Sequence, residues 1–294
     1  MRNLYINNKI QASNDLYVKA SSEPSGALFL DDYPDTEYYY SLNRGETGAT
    51  TDVCELQRDG AVTQNFTAEE LQDGTLATFA TGGEARLRRL INQGTVSRDF
   101  ENTTYSTQPR VYRDDELYLF NGKLYFSGVE TSVLIETDKR NPILDKDSTA
   151  YVVFRSQGAA NVGGVFEEVQ NAGERILMYS DTRSSLFRHS NYAPSSSNFI
   201  SFSSQQPQEE IRLYALRKTG NTIEAYDESG LVASISTSDN FAGSAQTSFS
   251  LFLQTIGSLH FRGHIAEVIV REKSDDNATL QDIIDHRKAY YGIV

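Results

Sequence analysis

Three short segments of alternating hydrophobicity lie close together in the last third of the chain and constrain the fold most. Residues 211–218, 221–226 and 231–235 alternate apolar with polar side chains, and turn-forming residues separate them at 219–221 and 227–230. A period of two is typical of strands that bury one face, and glycine and asparagine favour the tight turns between such strands. The pattern predicts a three-stranded antiparallel meander.

Further segments favour strands over helices. Residues 151–155 and 175–179 are short apolar runs suited to buried strands, and residues 249–253 and 261–270 are typical of closing strands. The chain has 17 Tyr and 15 Phe but no Trp, and Gly, Ser, Asn and Asp separate the short runs. The composition and the spacing predict an all-β protein with few helices.

One helix is predicted at the C-terminal end. From Leu280 to Tyr290, the residues Leu280, Ile283, Ile284 and Arg287 recur on one side at helical spacing. We expect this helix to pack on the sheet through that side.

A second, short helix is predicted to begin at residue 67. Thr67 and Glu70 have the spacing of a capping box, in which each side chain accepts a hydrogen bond from a free backbone N–H of the other residue. Gly82 and Gly83 are predicted to end this helix.

A hairpin is predicted around Asn121-Gly122. This dipeptide accepts positive φ at both positions, and Leu117, Leu119, Leu124 and Phe126 alternate with polar neighbours on either side. The segment is therefore interpreted as a β-hairpin with one buried face.

Seven weak motifs between residues 38 and 128 occur in an order that resembles one known family. They are Tyr39 to Asn43, Cys54 to Gly60, Phe66 to Leu76, Leu90 to Gly94, Arg98-Asp99, Gln108 to Val111 and Asn121 to Gly128. The order resembles the front half of the concanavalin A-like domains found in phage and bacterial surface proteins and in arabinofuranosidases. From residue 149 onward the chain resembles the back half of laminin G-like and pentraxin-like sandwiches.

The resemblance implies an all-β, concanavalin A-like antiparallel β-sandwich (jelly roll) with a few short helices over residues 38–294. Residues 1–37 do not match the family and are interpreted as an N-terminal arm or attachment segment, with short strands at 4–6 and 16–18. The alternative is that residues 1–37 add edge strands to the sandwich.

Charge and targeting signals limit the partners. The net charge of −13 disfavours nucleic acid and anionic membranes, and no apolar run is long enough to insert into a bilayer. The N-terminus lacks the apolar core of a signal peptide, and Cys54 is the only cysteine, here interpreted as a small buried hydrophobe. We therefore expect synthesis in a host cytoplasm and a final location in a virion that is released by lysis.

Enzyme activity is not expected. A glycosidase needs two carboxylates at the sugar bond, and Glu224 and Asp227 are predicted to point to opposite faces of a strand. The family has an aromatic pair and an aspartate at the position of residues 90–95, and this chain lacks them. Gln93, Arg98 and Asp99 are retained. Arg98 and Asp99 are interpreted as a surface or loop-fixing ion pair. The alternative is a glycoside hydrolase of the arabinofuranosidase or glucanase sandwich type.

A sugar-binding site is predicted in the Ser-rich stretch from Arg183 to Pro207. Aromatic faces and polar side chains together suit sugars, and loops on a rigid sandwich often carry binding sites. The candidate ligand-binding residues are Phe187, Arg188, His189, Asn191 and Tyr192.

No cofactor is expected, although calcium is a possibility that the resemblance to laminin G-like domains raises. Its candidate ligands are Asp31, Asp32 and Asp35, or Asp275 and Asp276. His260 and His264 are predicted to lie about 13 Å apart on one strand, too far to share an ion.

The leading hypothesis is a non-enzymatic structural protein of a bacteriophage particle: a fibre, spike or head-decoration subunit. Its lectin-like domain would bind host-surface carbohydrate. Its expected partners are other virion subunits, and we expect a homo-oligomer.

Overall fold

The structure is a computed structural model of the 294-residue chain. It describes residues 28–114, 116–128, 131–136, 143, 146–156, 163–170, 174–180, 185–191, 199–202, 210–236, 247–254 and 259–294. The short strands that were predicted at 4–6 and 16–18 lie outside these residues. Within the described ranges, no helix is both long and apolar enough to cross a membrane.

The elements are mostly short strands. In chain order the strands are β1 Tyr38–Ser41, β2 Asp52–Arg58, β3 Val62–Thr67, β4 Ala85–Leu90, β5 Phe100–Glu101, β6 Arg110–Arg113, β7 Glu116–Leu117, β8 Leu119–Phe120, β9 Lys123–Leu124, β10 Phe126–Gly128, β11 Leu134–Glu136, β12 Ser148–Ser156, β13 Gly163–Gln170, β14 Glu174–Ser180, β15 Ser185–Asn191, β16 Phe199–Phe202, β17 Ile211–Thr219, β18 Thr222–Asp227, β19 Gly230–Ser236, β20 Thr247–Leu251, β21 Leu253–Gln254, β22 Leu259–His260 and β23 Gly263–Arg271. The helices are α1 Phe29–Asp32, α2 Thr75–Ala80 and α3 Asn277–Tyr291, with a 3₁₀ turn at Tyr105–Thr107.

The strands form two layers, which confirms the predicted all-β sandwich. The first sheet has the order β19-β18-β17-β12-β23, and β1 and β10 share the free side of β23. The meander predicted at 211–235 is its β17-β18-β19 part. The second sheet has the order β3-β2-β4-β5-β11-β20-β13-β14-β15-β16, and β6 also pairs with β4.

Among the described residues, one pairing joins the two sheets at one side of the sandwich. Ser127 of β10 lies opposite Arg110 of β6, while the other side of β10 pairs with β23. The strands β23, β10, β6 and β4 therefore form one continuous surface at this corner.

The main hydrophobic core lies between the two sheets. It includes Val152 of the first sheet and Leu56, Phe100 and Phe166 of the second. Cys54 also belongs to this core and is fully buried, as predicted. Burial raises the pKa of its thiol.

A second hydrophobic core covers the outward face of the first sheet. Tyr151 and Ile269 of the sheet pack there against Ile283 and Ile284 of α3. The amphipathic side predicted for residues 280–290 is thus the buried side of α3. Phe29 of α1 joins this core and stacks on Tyr39 at 5.4 Å between ring centroids, so residues of the predicted arm that the structure describes pack on the sandwich.

Buried charges fix α3 to the sheet. Arg287 of α3 donates to Glu267 of β23 at 3.0 Å, and both side chains are 1% exposed. The hydroxyls of Tyr39 and Tyr291 donate to the same carboxylate oxygen at 2.6 and 3.4 Å. A buried ion pair with added hydrogen bonds is costly to break, because removal of one partner leaves an uncompensated charge.

The helix predicted from residue 67 begins later in the structure. Both capping-box hydrogen bonds form, from Thr67 N to Glu70 Oε2 at 2.9 Å and from Glu70 N to Thr67 Oγ1 at 3.3 Å, but they close only a turn. Gly74, with φ of 102°, redirects the chain, and α2 starts at Thr75. Gly82 follows the end of α2 at φ of 77°.

The hairpin predicted around Asn121-Gly122 is confirmed. Leu119 lies opposite Leu124, and the two turn residues have φ of 48° and 75°. Leu124 is fully buried in the main core. The Asn121 amide donates to the Tyr291 carbonyl at 2.8 Å, so the hairpin also rests on the end of α3.

We expect Arg287→Met to lower the free energy of unfolding by about 3–5 kcal/mol, because Glu267 would remain charged and buried without its partner. Chemical denaturation measures this. Arg44→Met is the control, since Arg44 pairs with the exposed Glu69 and its loss is expected to cost under about 1 kcal/mol. Equal effects of the two substitutions would contradict the role given to the buried pair.

Candidate functional site

The outward face of the second sheet is polar, in contrast to the face beneath α3. Directly paired residues share a face, and the pairings place one row of side chains across six strands. In register order the row is Glu55, Arg89, Glu101, Ile135, Ser250 and Glu167. Ile135 is 43% exposed and gives this polar row an apolar centre.

Arg88 joins two carboxylates of this face. Its Nη1 lies 2.7 Å from both oxygens of Glu55, and its Nη2 lies 3.2 Å from Glu101. Glu55 and Glu101 are two strands apart, about 10 Å between backbones. The guanidinium therefore stands between them, where a glycosidase would hold the sugar bond and, in the inverting type, a water molecule.

A second polar row crosses the corner where the sheets join. Successive pairings put Arg155, His264, Ser127, Arg110, Arg86 and Gln57 on one face. We call the part of this corner formed by Tyr118, Tyr125, His264, Arg155, Arg110 and Arg113 the corner site.

Three rings stack at the corner site. Tyr118 lies on Tyr125 with ring centroids 5.8 Å apart and an interplanar angle of 25°, and Tyr125 lies 4.5 Å from the ring of His264. Tyr125 and His264 are buried, whereas Tyr118 is partly exposed. The two buried rings hold Tyr118 in place as the outermost ring of the stack.

Arginines flank these rings on two sides. Burial raises the pKa of Tyr118, and the nearby Arg110 and Arg113 guanidiniums oppose that rise. Burial likewise raises the pKa of Tyr125, opposed by Arg155, whose side chain also hydrogen-bonds to it. The Tyr118 and Tyr125 rings and three guanidiniums thus lie close together at this corner.

His264 is neutral in this setting. Burial lowers its pKa to about 3, and the charge of Arg155 adds to the effect. Its Nδ1 is buried without a hydrogen-bond partner within the described residues. The imidazole therefore serves the site as an uncharged stacking ring.

The predicted ligand-binding residues lie elsewhere in the second sheet. Phe187, Arg188, His189 and Asn191 belong to strand β15, which pairs with β14 and β16, so the loop expected for these four is wrong. The structure describes their backbone only. Tyr192 lies outside the described residues, and the role of all five in binding stays a prediction.

The other candidate catalytic groups have structural partners. Glu224 accepts from Arg217 at 2.7 Å, and Asp227 accepts from the Ser229 backbone at 2.8 Å in the turn. Asp99 accepts from the Asn92 backbone at 3.0 Å, while Arg98 donates to the Tyr38 hydroxyl at 3.2 Å. Arg98 and Asp99 fix the chain around them, each through its own contact.

The motif at 90–95 fixes strand β1. Asn92 accepts from the Tyr39 backbone at 2.7 Å, and Gln93 donates to the carbonyls of Ser41 and Asn43 at 2.8 and 3.1 Å. These amides join the end of β4 to the first strand, a role that their sequence pattern alone did not indicate.

The five aspartates considered for calcium contact protein groups. Asp31 binds Thr47, Asp35 binds Arg271 and Lys273, and Asp276 caps α3 through Thr279. Asp32 lies 3.5 Å from His286, and Asp275 accepts from the Tyr151 hydroxyl at 2.8 Å. In the part of the chain that is described, no three acidic, histidine or cysteine side chains converge as a metal site would require.

His260 and His264 belong to two strands, β22 and β23, rather than to one. The Nδ1 atom of His260 lies 3.0 Å from the Ser132 carbonyl, whereas His264 stacks on Tyr125. Each imidazole has its own surroundings.

Comparison with known proteins relates the fold to solved structures. No protein-family model matches the chain, and no curated protein matches it. A mutant GH54 α-L-arabinofuranosidase soaked with 4-nitrophenyl α-L-arabinofuranoside superposes with a TM-score of 0.61 at 11% identity, over 89% of this chain and 64% of that one. An arabinofuranosidase in complex with arabinofuranosyl-α-1,2-xylobiose gives a TM-score of 0.60 at 12% identity over the same shares.

These likenesses show a shared β-sandwich fold. This chain spans 64% of the length of those arabinofuranosidases. Domain 4 of AbnA, a GH43 extracellular arabinanase from Geobacillus stearothermophilus, in complex with arabinotriose, has a TM-score of 0.40 at 10% identity, over 65% of this chain and 82% of that one. That last likeness is too weak to support an argument.

The pKa of His264 predicts a pH effect on stability. The folded protein keeps a pKa of about 3 for this imidazole, whereas an exposed imidazole titrates near about 6.5. Because the unfolded chain takes up the proton first, stability present at neutral pH is lost as the pH falls through this window. From about pH 7 to about pH 5 the expected loss from His264 is about 2 kcal/mol.

His264→Phe keeps the stacked ring and removes the titration. Denaturation at both pH values should show that the wild-type protein loses about 2 kcal/mol more than the variant on acidification. Equal losses in the two proteins would contradict a buried, neutral His264.

Proposed function

We propose that this protein is a carbohydrate-binding β-sandwich domain without hydrolase activity, and that the corner site holds the sugar. The observation that carries the proposal is the partly exposed Tyr118 ring, which stacks on Tyr125 and is flanked by arginines.

This arrangement suits a sugar in two respects. A sugar ring offers an apolar face of C–H groups that packs on an aromatic ring, while its hydroxyls need donors and acceptors at the edge. Tyr118 supplies the ring, Arg110, Arg113 and Arg155 supply donors, and Glu84 beside the first two arginines supplies an acceptor. Because Tyr125 and His264 already hold Tyr118, little order is lost on binding.

The carboxylates of the outward face support binding over hydrolysis. Glu55 and Glu101 both pair with Arg88, whose guanidinium fills the space between them. Glu101 and Glu167 flank Ile135 in the same row but are three strands apart, about 14 Å between backbones. That separation exceeds the roughly 5–9.5 Å between the carboxyl groups of glycosidases.

The place of the domain in a bacteriophage particle is part of the same proposal. It is supported by the ordered motifs of residues 38–128, which resemble phage sandwich domains, and by the net charge of −13, which disfavours nucleic acid as a partner. In this proposal the domain is one copy in a homo-oligomeric fibre, spike or decoration protein, and it recognises host-surface glycan without a cofactor.

Binding is tested with a glycan array followed by calorimetry on the strongest ligand. We expect micromolar-to-millimolar affinity, and we expect Tyr118→Ala to weaken it by about tenfold or more through lost stacking. Tyr33→Ala is the control, because Tyr33 is a partly buried tyrosine that packs on α1 and α3 instead. Unchanged binding in Tyr118→Ala would place the sugar elsewhere.

The absence of turnover is tested on the same protein with arabinan, β-glucan and an aryl arabinofuranoside. We expect no release of reducing sugar or aryl alcohol. Turnover that Glu55→Gln or Glu101→Gln abolishes would overturn the proposal and favour the glycoside hydrolase alternative.

A further inference from the structure

We propose that the corner site selects an acidic sugar, namely a uronic acid unit whose carboxylate binds Arg110 and Arg113 while its ring packs on Tyr118. The inference rests on the proposed carbohydrate binding and names the class of sugar.

Arg110 and Arg113 share one carboxylate. Their Nε atoms lie 3.1 and 3.6 Å from the same oxygen of Glu84, and Arg113 Nε also lies 3.2 Å from Asp114. Arg86 contacts Glu84 as well, at 2.7 Å, so three guanidiniums converge on one acidic side chain.

Two of these guanidiniums make no hydrogen bond to the described residues through their terminal nitrogens. In the described part of the chain, neither Arg110 nor Arg113 makes a side-chain hydrogen bond through Nη1 or Nη2, and Arg110 Nε has none either. Arg86, by contrast, donates to the carbonyls of Tyr105 and Ser106. Arg113 is 44% exposed, so its donors are accessible to a ligand.

A carboxylate matches these donors better than a hydroxyl does. A guanidinium presents its N–H groups as a planar fork that binds the two oxygens of a carboxylate side by side. A uronic acid carries such a carboxylate on the rim of a ring whose C–H face can pack on Tyr118. The sugar ring would then pack on Tyr118 while the carboxylate of the same sugar binds Arg110 and Arg113.

The charge at the corner site differs from that of the whole chain. Arg86, Arg110, Arg113 and Arg155 stand against Glu84, Asp114 and Glu116, the last of which lies opposite Arg113 in the sheet. Among the described residues the arginines of this corner outnumber the carboxylates by one, and Asp115 of the sequence makes the numbers equal, in a chain whose net charge is −13. An acidic glycan is repelled by the protein as a whole and is repelled less at this corner, which favours a single orientation of the ligand.

The test uses a matched pair of ligands: a galacturonic acid trisaccharide and its fully methyl-esterified form, which keeps the rings and removes the charges. We expect calorimetry at low salt to show that the acid binds about tenfold tighter than the ester, and that added salt reduces this preference. Arg113→Gln and Arg110→Gln should each bring the ratio of acid to ester affinity close to one, because the acid loses its charged partner while both ligands lose the same neutral contacts. Arg44→Gln, which changes an arginine paired with Glu69, should preserve it.

The outcomes separate this inference from the proposed function. Equal or tighter binding of the ester would overturn the preference for an acidic sugar, while the carbohydrate-binding function would stand. Failure of both trisaccharides and of every neutral glycan would overturn both. Inorganic phosphate at equal concentration is the third probe, and if it displaces the acid as effectively as free galacturonate does, the corner holds a simple anion rather than a sugar acid. Arg113 is exposed enough for its variant to fold even if the Arg110 variant does not.

Discussion

The buried pair of Glu267 and Arg287 is the interaction on which the arrangement of this protein depends. It fixes α3 across the outward face of the first sheet, and the hydroxyls of Tyr39 and Tyr291 donate to the same carboxylate oxygen as Arg287. A sheet in water must cover its apolar face, and here the covering helix is held by charge as well as by Ile283 and Ile284. That face of the sandwich is therefore structural.

Once that face is covered, polar side chains lie on the outward face of the second sheet, where Glu55, Ser250 and Glu167 are buried, and at the corner where the sheets join. The pairing of Ser127 with Arg110 brings strands of both sheets side by side. It places Arg155 and His264 of the first sheet in the same row as the arginines of the second. The hairpin at Asn121-Gly122, supported by α3, carries Tyr118 to this corner, so the fold and the candidate site share one set of contacts.

Local sequence patterns correctly predicted those elements that are determined by residues close together in the sequence. The meander at 211–235, the hairpin at 121–122 and the buried side of α3 each follow from residues near in sequence. The capping box of Thr67 formed its hydrogen bonds but no helix, because Gly74 redirects the chain after one turn. Residues 185–191 form a strand despite a Ser-rich surrounding sequence, since pairing with β14 and β16 outweighs local preference.

The corner site could not be predicted in the same way. Arg110, Tyr118, Arg155 and His264 come from separate parts of the chain, and only the register between β6, β10, β23 and β12 brings them together. Hydrogen exchange followed by mass spectrometry, with and without the galacturonic acid trisaccharide, tests this location most directly. We expect slower exchange in residues 110–128 and around Arg155 and His264. Protection confined to residues 183–207 or to the strands beneath α3, or none at all, would contradict it.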